Sequence, residues 1–502
     1  MEFATILTFI VYLVGMLVIG LLAYQLTTNL SDYVLGGRKL GGSVAALSAG
    51  ASDMSSWLLL GLPGAMYVAG MSEIWLAIGL SIGAYLNWQF VAGRLRKYTE
   101  VAGDSITLPD FFENRFRDQS KILRVISALV ILVFFAFYTS SGLVAGALLF
   151  EASFGLGYTQ ALWIGAAVII SYTFLGGFLA VSWTDFFQGI LMFLALLVVP
   201  VVAISEMGGW DQTVNAVGQV DPMYLDAFAG TTILGIVSLL AWGLGYFGQP
   251  HILTRFMAVK SAKEIPKARF IGMTWMVLSL FGAIFTGFIG IAYFAGQGMP
   301  LGQGNEETVF IAFTQVLFNP WVAGFLLAAI LSAIMSTIDS QLLVSSSALA
   351  EDFYKGIIKK EATQRELVWV GRLGVVVIAL IAIMLAYNPD NTVLGLVGYA
   401  WAGFGAAFGP VILLSLFWRR MTRNGALAGM LVGGITVVVW DILSTPPVDA
   451  AGNQLPQSEA FIPFSLYEII PGFLLATLAI VIVSLIDKQP AKEIQDEFSS
   501  IQ

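Results

Sequence analysis

The sequence has no cysteine and a single histidine, His251. Without cysteine there is no disulfide framework, no thiolate nucleophile and no sulfur-ligated metal. One histidine, with no HExxH or paired-histidine spacing, leaves no ligand set of the kind zinc sites use. Charge is scarce as well. Only 11% of the 502 residues are Asp, Glu, Lys or Arg, and 58% are hydrophobic, whereas an ordinary soluble domain is roughly 25% charged. A water-facing surface of this size cannot be built from so few charges, so lipid is the expected solvent. No GxxxxGK[ST] phosphate loop occurs, which removes the usual ATP-driven motor. The net charge of −8 argues against a nucleic-acid partner. No nucleophile–base or metal constellation stands out, so an enzyme is not expected.

Long apolar runs are what the chain does have. A spanning helix needs about 20 such residues. Thirteen are expected, at roughly 5–25, 42–70, 73–93, 125–151, 158–182, 185–206, 229–252, 268–298, 314–350, 367–388, 392–417, 424–445 and 466–487. The 314–350 run is too long for one straight crossing and reads as a tilted helix running past the membrane surface. Met1-Glu2-Phe3 provides no basic flank, so the first run reads as a retained helix rather than a cleaved signal. About fifteen residues follow 487, too few for an appended soluble domain.

Lys and Arg concentrate in cytoplasmic connections. Here all 24 of them fall in alternate connections: Arg38 and Lys39, then 94–124, 255–269, 355–372, 419–423 and 488–492. The intervening connections, including 207–228, 299–313 and 446–465, have none. A miscounted span would mix the two sets from that point on. The N-terminus is therefore expected outside and the C-terminus inside.

Two spans carry helix breakers at mid-depth. One runs Ser48-Ala-Gly-Ala-Ser-Asp53-Met-Ser-Ser-Trp57, with Gly61, Pro63 and Gly64 beyond; the other runs from Trp242 through Gly243, Gly245, Tyr246 and Gly248 to Pro250. Unwound backbone survives in a bilayer only where it lines a protected cavity. These are the second and seventh spans, five apart, and an odd repeat inserts its second copy upside down. Paired interruptions of this kind point to a transporter site at the midplane, although glycines also serve close helix packing. A third stretch, Ala333 to Gln341, offers the hydroxyls of Ser336 and Thr337 with the Ala333 carbonyl one turn earlier. Hard neutral oxygens of this type suit sodium, and the same hydroxyls can equally bond their own helix. Among intramembrane carboxylates, Asp53 stands out because it lies in a break. Asp185 is placed at a cytoplasmic helix end, where simple solvation serves equally well. Asp339 is either in a watery inner vestibule or paired, and His251 reads as a packing or capping residue.

Four stretches (Ser48 to Gly64, Gly176-Gly177-Phe178 to Asp185, Trp242 to Phe256 and Tyr399 to Pro410) strongly resemble the sodium/solute symporter family, in particular its proline-carrying bacterial branch. The resemblance covers nearly the whole chain. It implies an all-α integral membrane protein with an inverted five-plus-five (LeuT-type) repeat and three extra helices. Residues 1–41 would form the first helix and a cytoplasmic loop, 42–206 the first repeat, 229–417 the second, and 418–502 two further helices with a short tail. It further implies symport of sodium and L-proline into the cell by alternating access, across a bacterial plasma (inner) membrane. Matched position by position, sodium is expected on the backbone oxygens of Ala51, Met54 and Ala333 with the hydroxyls of Ser336 and Thr337. Asp53 and Asp185 match coupling carboxylates; Ser55, Trp57, Gly61, Tyr138, Trp242, Tyr246 and Pro250 match positions tied to substrate binding or access. Asp339 and the length of the 446–465 loop depart from the branch. Another small amino acid or organic acid, proton coupling through Asp53 or Asp339, and a transport-inactive sensor remain as alternatives.

Overall fold

In lipid every backbone N–H and C=O must pair within its own segment, which leaves helices as the economical solution for apolar runs of this length. The computed structural model describes residues 3–25, 30–173, 177–296, 300–302, 304–447 and 455–501. Gly176 and the centre of the 446–465 loop lie outside the described residues. Within them the chain is helices and turns, with a single isolated bridge between Leu40 and Val259. Among the described residues ten helical stretches are long and apolar enough to cross a membrane, and an eleventh forms if the bent pair Ile233–Gly248 and Pro250–Ala258 counts as one span. The protein is thus a multi-pass, all-α membrane protein.

Several boundaries differ from the sequence expectation. The fifth and sixth runs end and start earlier, at Tyr158–Thr173 and Phe178–Glu206, so Ser182 to Asp185 lie inside a helix rather than at its edge. The 314–350 run is two elements, Val309–Leu317 and Pro320–Ser347, the latter continued by a π-helical stretch to Ile358. Asn319 separates them by accepting from the N–H groups of Trp321 and Val322, an N-cap that hydropathy alone does not register. The 207–228 connection also holds a helix, Trp210–Val220.

The six basic connections meet at one end of the bundle. Arg38 donates to the Ser105 and Met257 carbonyls (2.7 and 2.8 Å), and the Lys260 N–H donates to the Leu40 carbonyl (2.9 Å). Lys121 donates to the Gly356 carbonyl (2.7 Å). Arg423 pairs with Asp118 (2.7 Å) and Arg117 with Glu493 (3.4 Å). These contacts join every connection that carries Lys or Arg. At the other end Trp75 donates to the Ala227 carbonyl (2.8 Å), and the Tyr467 N–H donates to the Ser238 hydroxyl (3.0 Å). Gly70 there has φ +65°, and the Tyr224 backbone lies where a Cβ would stand, so the tight turn and the close approach both select glycine.

Candidate functional site

Both sequence-flagged breaks are real, and they face each other. The first helix half, Gly42–Asp53, stops at Met54 (φ −76°, ψ 71°). The Ser55 N–H turns back onto the Asp53 carbonyl at 2.8 Å, and the chain resumes as a π-helical turn from Trp57 to Gly61 before Leu62–Ala69. The Asp53 carbonyl, freed from the helical ladder, collects two more donors: the Tyr138 hydroxyl at 3.0 Å and the Trp57 indole N–H at 3.1 Å. In the second break, Ile233–Ala241 tightens into 3₁₀ turns over Trp242–Gly248, and Pro250 opens the next helix, Pro250–Ala258. The two halves are bent by 45°. Here too the loosened carbonyls find side-chain donors, as buried backbone must. Trp401 donates to Trp242 (2.7 Å), Asn87 to Tyr246 (2.9 Å) and Gln249 to Gly245 (3.1 Å).

The breaks are joined by Tyr246, whose hydroxyl donates to Asp53 Oδ2 at 2.6 Å. Trp57 and Trp242 lie across from one another with ring centroids 6.5 Å apart. Asp53, Ser55, Trp57, Tyr138 and Tyr246 are all nearly inaccessible to solvent. The result is a buried aromatic cluster with one carboxylate at its edge. Above it an open cavity of about 430 Å³ is lined by Trp242, Leu394, Gly398, Tyr399, Tyr467 and Glu468. It lies on the side of the connections that lack Lys and Arg, and Trp242 belongs both to its lining and to the aromatic cluster.

Of the oxygens named for sodium, those of Ala51, Ala333, Ser336 and Thr337 lie close together. The Ser336 hydroxyl lies 2.8 Å from the Ala51 carbonyl and 3.2 Å from that of Ala333, and the Thr337 hydroxyl lies 3.4 Å from Ala51. Met54 follows three residues after Ala51, at the end of the same helix. All are buried, and the donor set is neutral oxygen, as suits a hard monovalent cation.

Other expected residues are placed differently. Gly61 faces Leu394 and Glu307 rather than the aromatic cluster: a Cβ there would meet Leu394 and, a little farther, Glu307. Pro250 borders a small inner cavity together with Thr107, Thr254 and Asp352. His251 packs between Phe135 and Tyr138, with centroids at 5.7 and 5.8 Å. Asp339 is fully buried, which excludes a watery vestibule around it in this conformation. Asp185 is not at a solvated helix end. It is fully buried and pairs with the equally buried Arg255 at 3.2 Å. Ser48 donates to Asp185 Oδ2 (2.7 Å), and Arg255 reaches both Ser48 (3.1 Å) and Ser340 (2.5 Å). That knot ties four helices together on the basic side of the proposed ion site.

Sequence reasoning missed Arg255, Ser340, Asn87, Trp401 and Glu307. Arg255 was counted as a connection charge because the second helix half reaches Ala258, six residues past the expected end. Asn87 had one signal, an amide in an apolar run that carries only one other, Gln89. Glu307 had none, since its partners are the N–H groups of Val393 and Leu394 (2.8 and 3.0 Å), far away in sequence.

Comparison with known proteins gives a consistent result. A family model described as "Sodium:solute symporter family" matches residues 33–433. The chain is 55% identical to the sodium/proline symporter of Salmonella typhimurium over 98% of its own length and 95% of the relative's. It is 54% identical to the high-affinity proline transporter PutP of Bacillus subtilis, covering 97% of this chain and 99% of that one. Among solved structures, the substrate-bound outward-open state of a Na+-coupled sialic acid symporter superposes with a TM-score of 0.79 at 18% identity, covering 98% and 99% of the two chains. The Mhp1 nucleobase-cation symporter, in a closed conformation, gives 0.57 at 16% identity over 95% of this chain and all of that one. The fold is shared with these symporters, and the matched sequence extends through both breaks and the hydroxyl pair: the chain belongs to the sodium:solute symporter family.

Proposed function

We propose that this protein couples the inward movement of sodium to the uptake of L-proline by alternating access. The observation that carries the reading is the meeting of Ala51, Ala333, Ser336 and Thr337 oxygens against the first break, with Ala51 two residues before the Asp53 carbonyl that holds Tyr138 and Trp57. Relatives above 50% identity that are named for proline supply the cargo. Sodium arriving from outside is drawn by the Asp53 carboxylate and held by the Ala51, Met54 and Ala333 carbonyls with the Ser336 and Thr337 hydroxyls. Its binding fastens the first break to the Pro320–Ser347 helix. The same break presents Asp53 to Tyr138, Trp57 and Tyr246, so ordering one site orders the other. Ser55, Trp57, Tyr138, Trp242 and Tyr246 surround the substrate, with Gly61 and Pro250 at the outer and inner approaches. Freed backbone N–H groups hold its carboxylate, and aromatic faces pack its pyrrolidine ring. Release inward requires the Asp185–Arg255 knot to part. Each sodium brings about 2.3 kcal/mol per 100 mV and about 1.4 kcal/mol per tenfold gradient, together of order several hundredfold of substrate accumulation.

The reading includes thirteen crossings. The 57–101 stretch is 45 residues long, about 67 Å if straight at 1.5 Å per residue, and therefore folds into two at Gly70–Glu73. The bent pair and Tyr158–Thr173 add the rest. Repeats at 42–206 and 229–417, an outer N-terminus, a cytoplasmic C-terminus and a bacterial inner membrane complete it. The basic residues gathered at one end support that orientation.

Purified protein in sealed proteoliposomes tests the proposal. Radiolabelled proline should accumulate only with an inward sodium gradient, faster with the interior negative, and unlabelled proline should compete. Uptake unchanged without sodium would replace sodium by protons as the coupling ion. Competition by another solute but not by proline would replace the cargo. No accumulation of any solute would point to a sensor.

A further inference from the structure

The second break is held from outside its own helix, and the residue doing most of the holding is Trp401. Its indole N–H donates to the Trp242 carbonyl at 2.7 Å. The edge of its ring meets the Tyr246 ring at 86° with centroids 5.0 Å apart. On its far side Gln249 donates to the Trp401 carbonyl at 3.2 Å while also bonding the Gly245 carbonyl. Trp401 is almost wholly buried, and it lies so close to the unwound chain that a Cβ on Gly245 would fall within its indole. A second strap comes from another helix, where Asn87 donates to the Tyr246 carbonyl at 2.9 Å.

These contacts have one geometric consequence. Tyr246 is gripped through its backbone by Asn87 and through its ring by Trp401, and its hydroxyl, 2.6 Å from Asp53 Oδ2, is the side-chain link between the two breaks. A 3₁₀ stretch with three glycines has little stiffness of its own, so the phenol position is set by the straps. We infer that Trp401, assisted by Asn87, is a positioning residue for coupling: it keeps Tyr246 on Asp53, so that cation binding at the first break is felt at the substrate cleft formed by the second. The inference rests on the sodium–proline reading above. It concerns how the two sites communicate, a coupling free energy between sites, and Trp401 need not touch either solute.

Trp401→Phe tests it by keeping an aromatic ring while deleting the N–H. Proline binding to the purified full-length protein is measured by equilibrium dialysis with and without sodium, alongside the amount of protein reaching the membrane. Wild-type protein should show sodium-dependent affinity; if it does not, the sodium–proline reading fails and this inference falls with it. Given that dependence, the Phe variant should lose tenfold or more of the sodium-induced gain while proline affinity without sodium shifts by less than about threefold. Asn87→Leu, which keeps the branching and the number of side-chain heavy atoms but removes the donor, should reduce the gain in the same direction and serves as the test if the Phe variant fails to reach the membrane. Tyr246→Phe combined with Trp401→Phe should be no worse than Tyr246→Phe alone, because both act through one hydroxyl. An unchanged sodium-induced gain in stable Trp401→Phe protein, or a uniform loss of affinity with and without sodium, would overturn the inference. Either result would leave Trp401 a packing residue only.

Discussion

Ser336 contacts two carbonyls from different helices, so removing its hydroxyl deletes one candidate ligand without creating bulk. Loss of one buried polar partner costs about 1–3 kcal/mol. Ser336→Ala should therefore raise the half-saturating sodium concentration about tenfold or more, with transport recovering at high sodium. Uptake against sodium concentration reads this directly, and an unshifted curve would remove Ser336 from the site. Thr337→Ser, which keeps the oxygen, should move the curve less. Asp185 makes a different prediction. Its partner Arg255 is buried with it, and breaking a buried pair from one side costs about 3–5 kcal/mol. Asp185→Asn should lower the melting temperature of the detergent-solubilised protein, and Asp185→Asn with Arg255→Gln should recover part of the loss. A single variant that melts like the wild type would show that the pair contributes no stability. Asp53 was readable from sequence as a carboxylate in a break. The pairing of Asp185 was not, because the helix starts at Phe178, seven residues before the expected boundary, so that a buried position was read as a helix end.

Helix ends at the face without basic connections carry their own acids. Glu307 accepts from the first two N–H groups of Val393–Phe417, where a negative charge also meets the positive end of the helix dipole. Burial pushes its carboxyl up, and those backbone N–H groups hold it back. Glu307→Ala should destabilise this join by about 1–2 kcal/mol, the usual value of a lost N-cap. A cysteine introduced at Leu394 should then react faster with a membrane-impermeant maleimide, and equal rates would refute the cap. Glu468, just before the Ile469–Ile486 helix, is pushed by burial up to about 7, with Asp441 adding to the shift. The folded protein therefore binds this proton more tightly than the unfolded chain does. Stability from this group is present at acid pH and is lost as pH rises from the ordinary glutamate range to about 7. Glu468→Gln should flatten the melting temperature between pH 5 and 8, and identical slopes would assign the pH dependence elsewhere. The breaks themselves were legible, because glycine, proline and hydroxyls at membrane depth have few other uses. The straps that hold them were not, because Asn87 and Trp401 lie about 159 residues from the carbonyls they bond.

Across the whole molecule, the absence of cysteine makes the orientation testable on a clean background. Single cysteines replacing Asp211 or Glu306 should react with an impermeant thiol reagent in intact cells. Cysteines replacing Lys359 or Glu493 should react only after permeabilisation, and the opposite pattern would invert the proposed topology. By itself the sequence determined that the solvent is lipid, that the positive charge is confined to a few connections between apolar runs, and that two of those runs carry helix breakers. Each of these follows from local composition and from the cost of placing charge or unpaired backbone in hydrocarbon. The tertiary structure alone decided which carbonyls meet which hydroxyls, that Asp185 answers Arg255 rather than water, and that Tyr246 bridges the breaks under the hold of Trp401. Those relations join residues remote in the chain, and a hydrogen bond between remote groups leaves no periodicity, spacing or composition for a sequence to display.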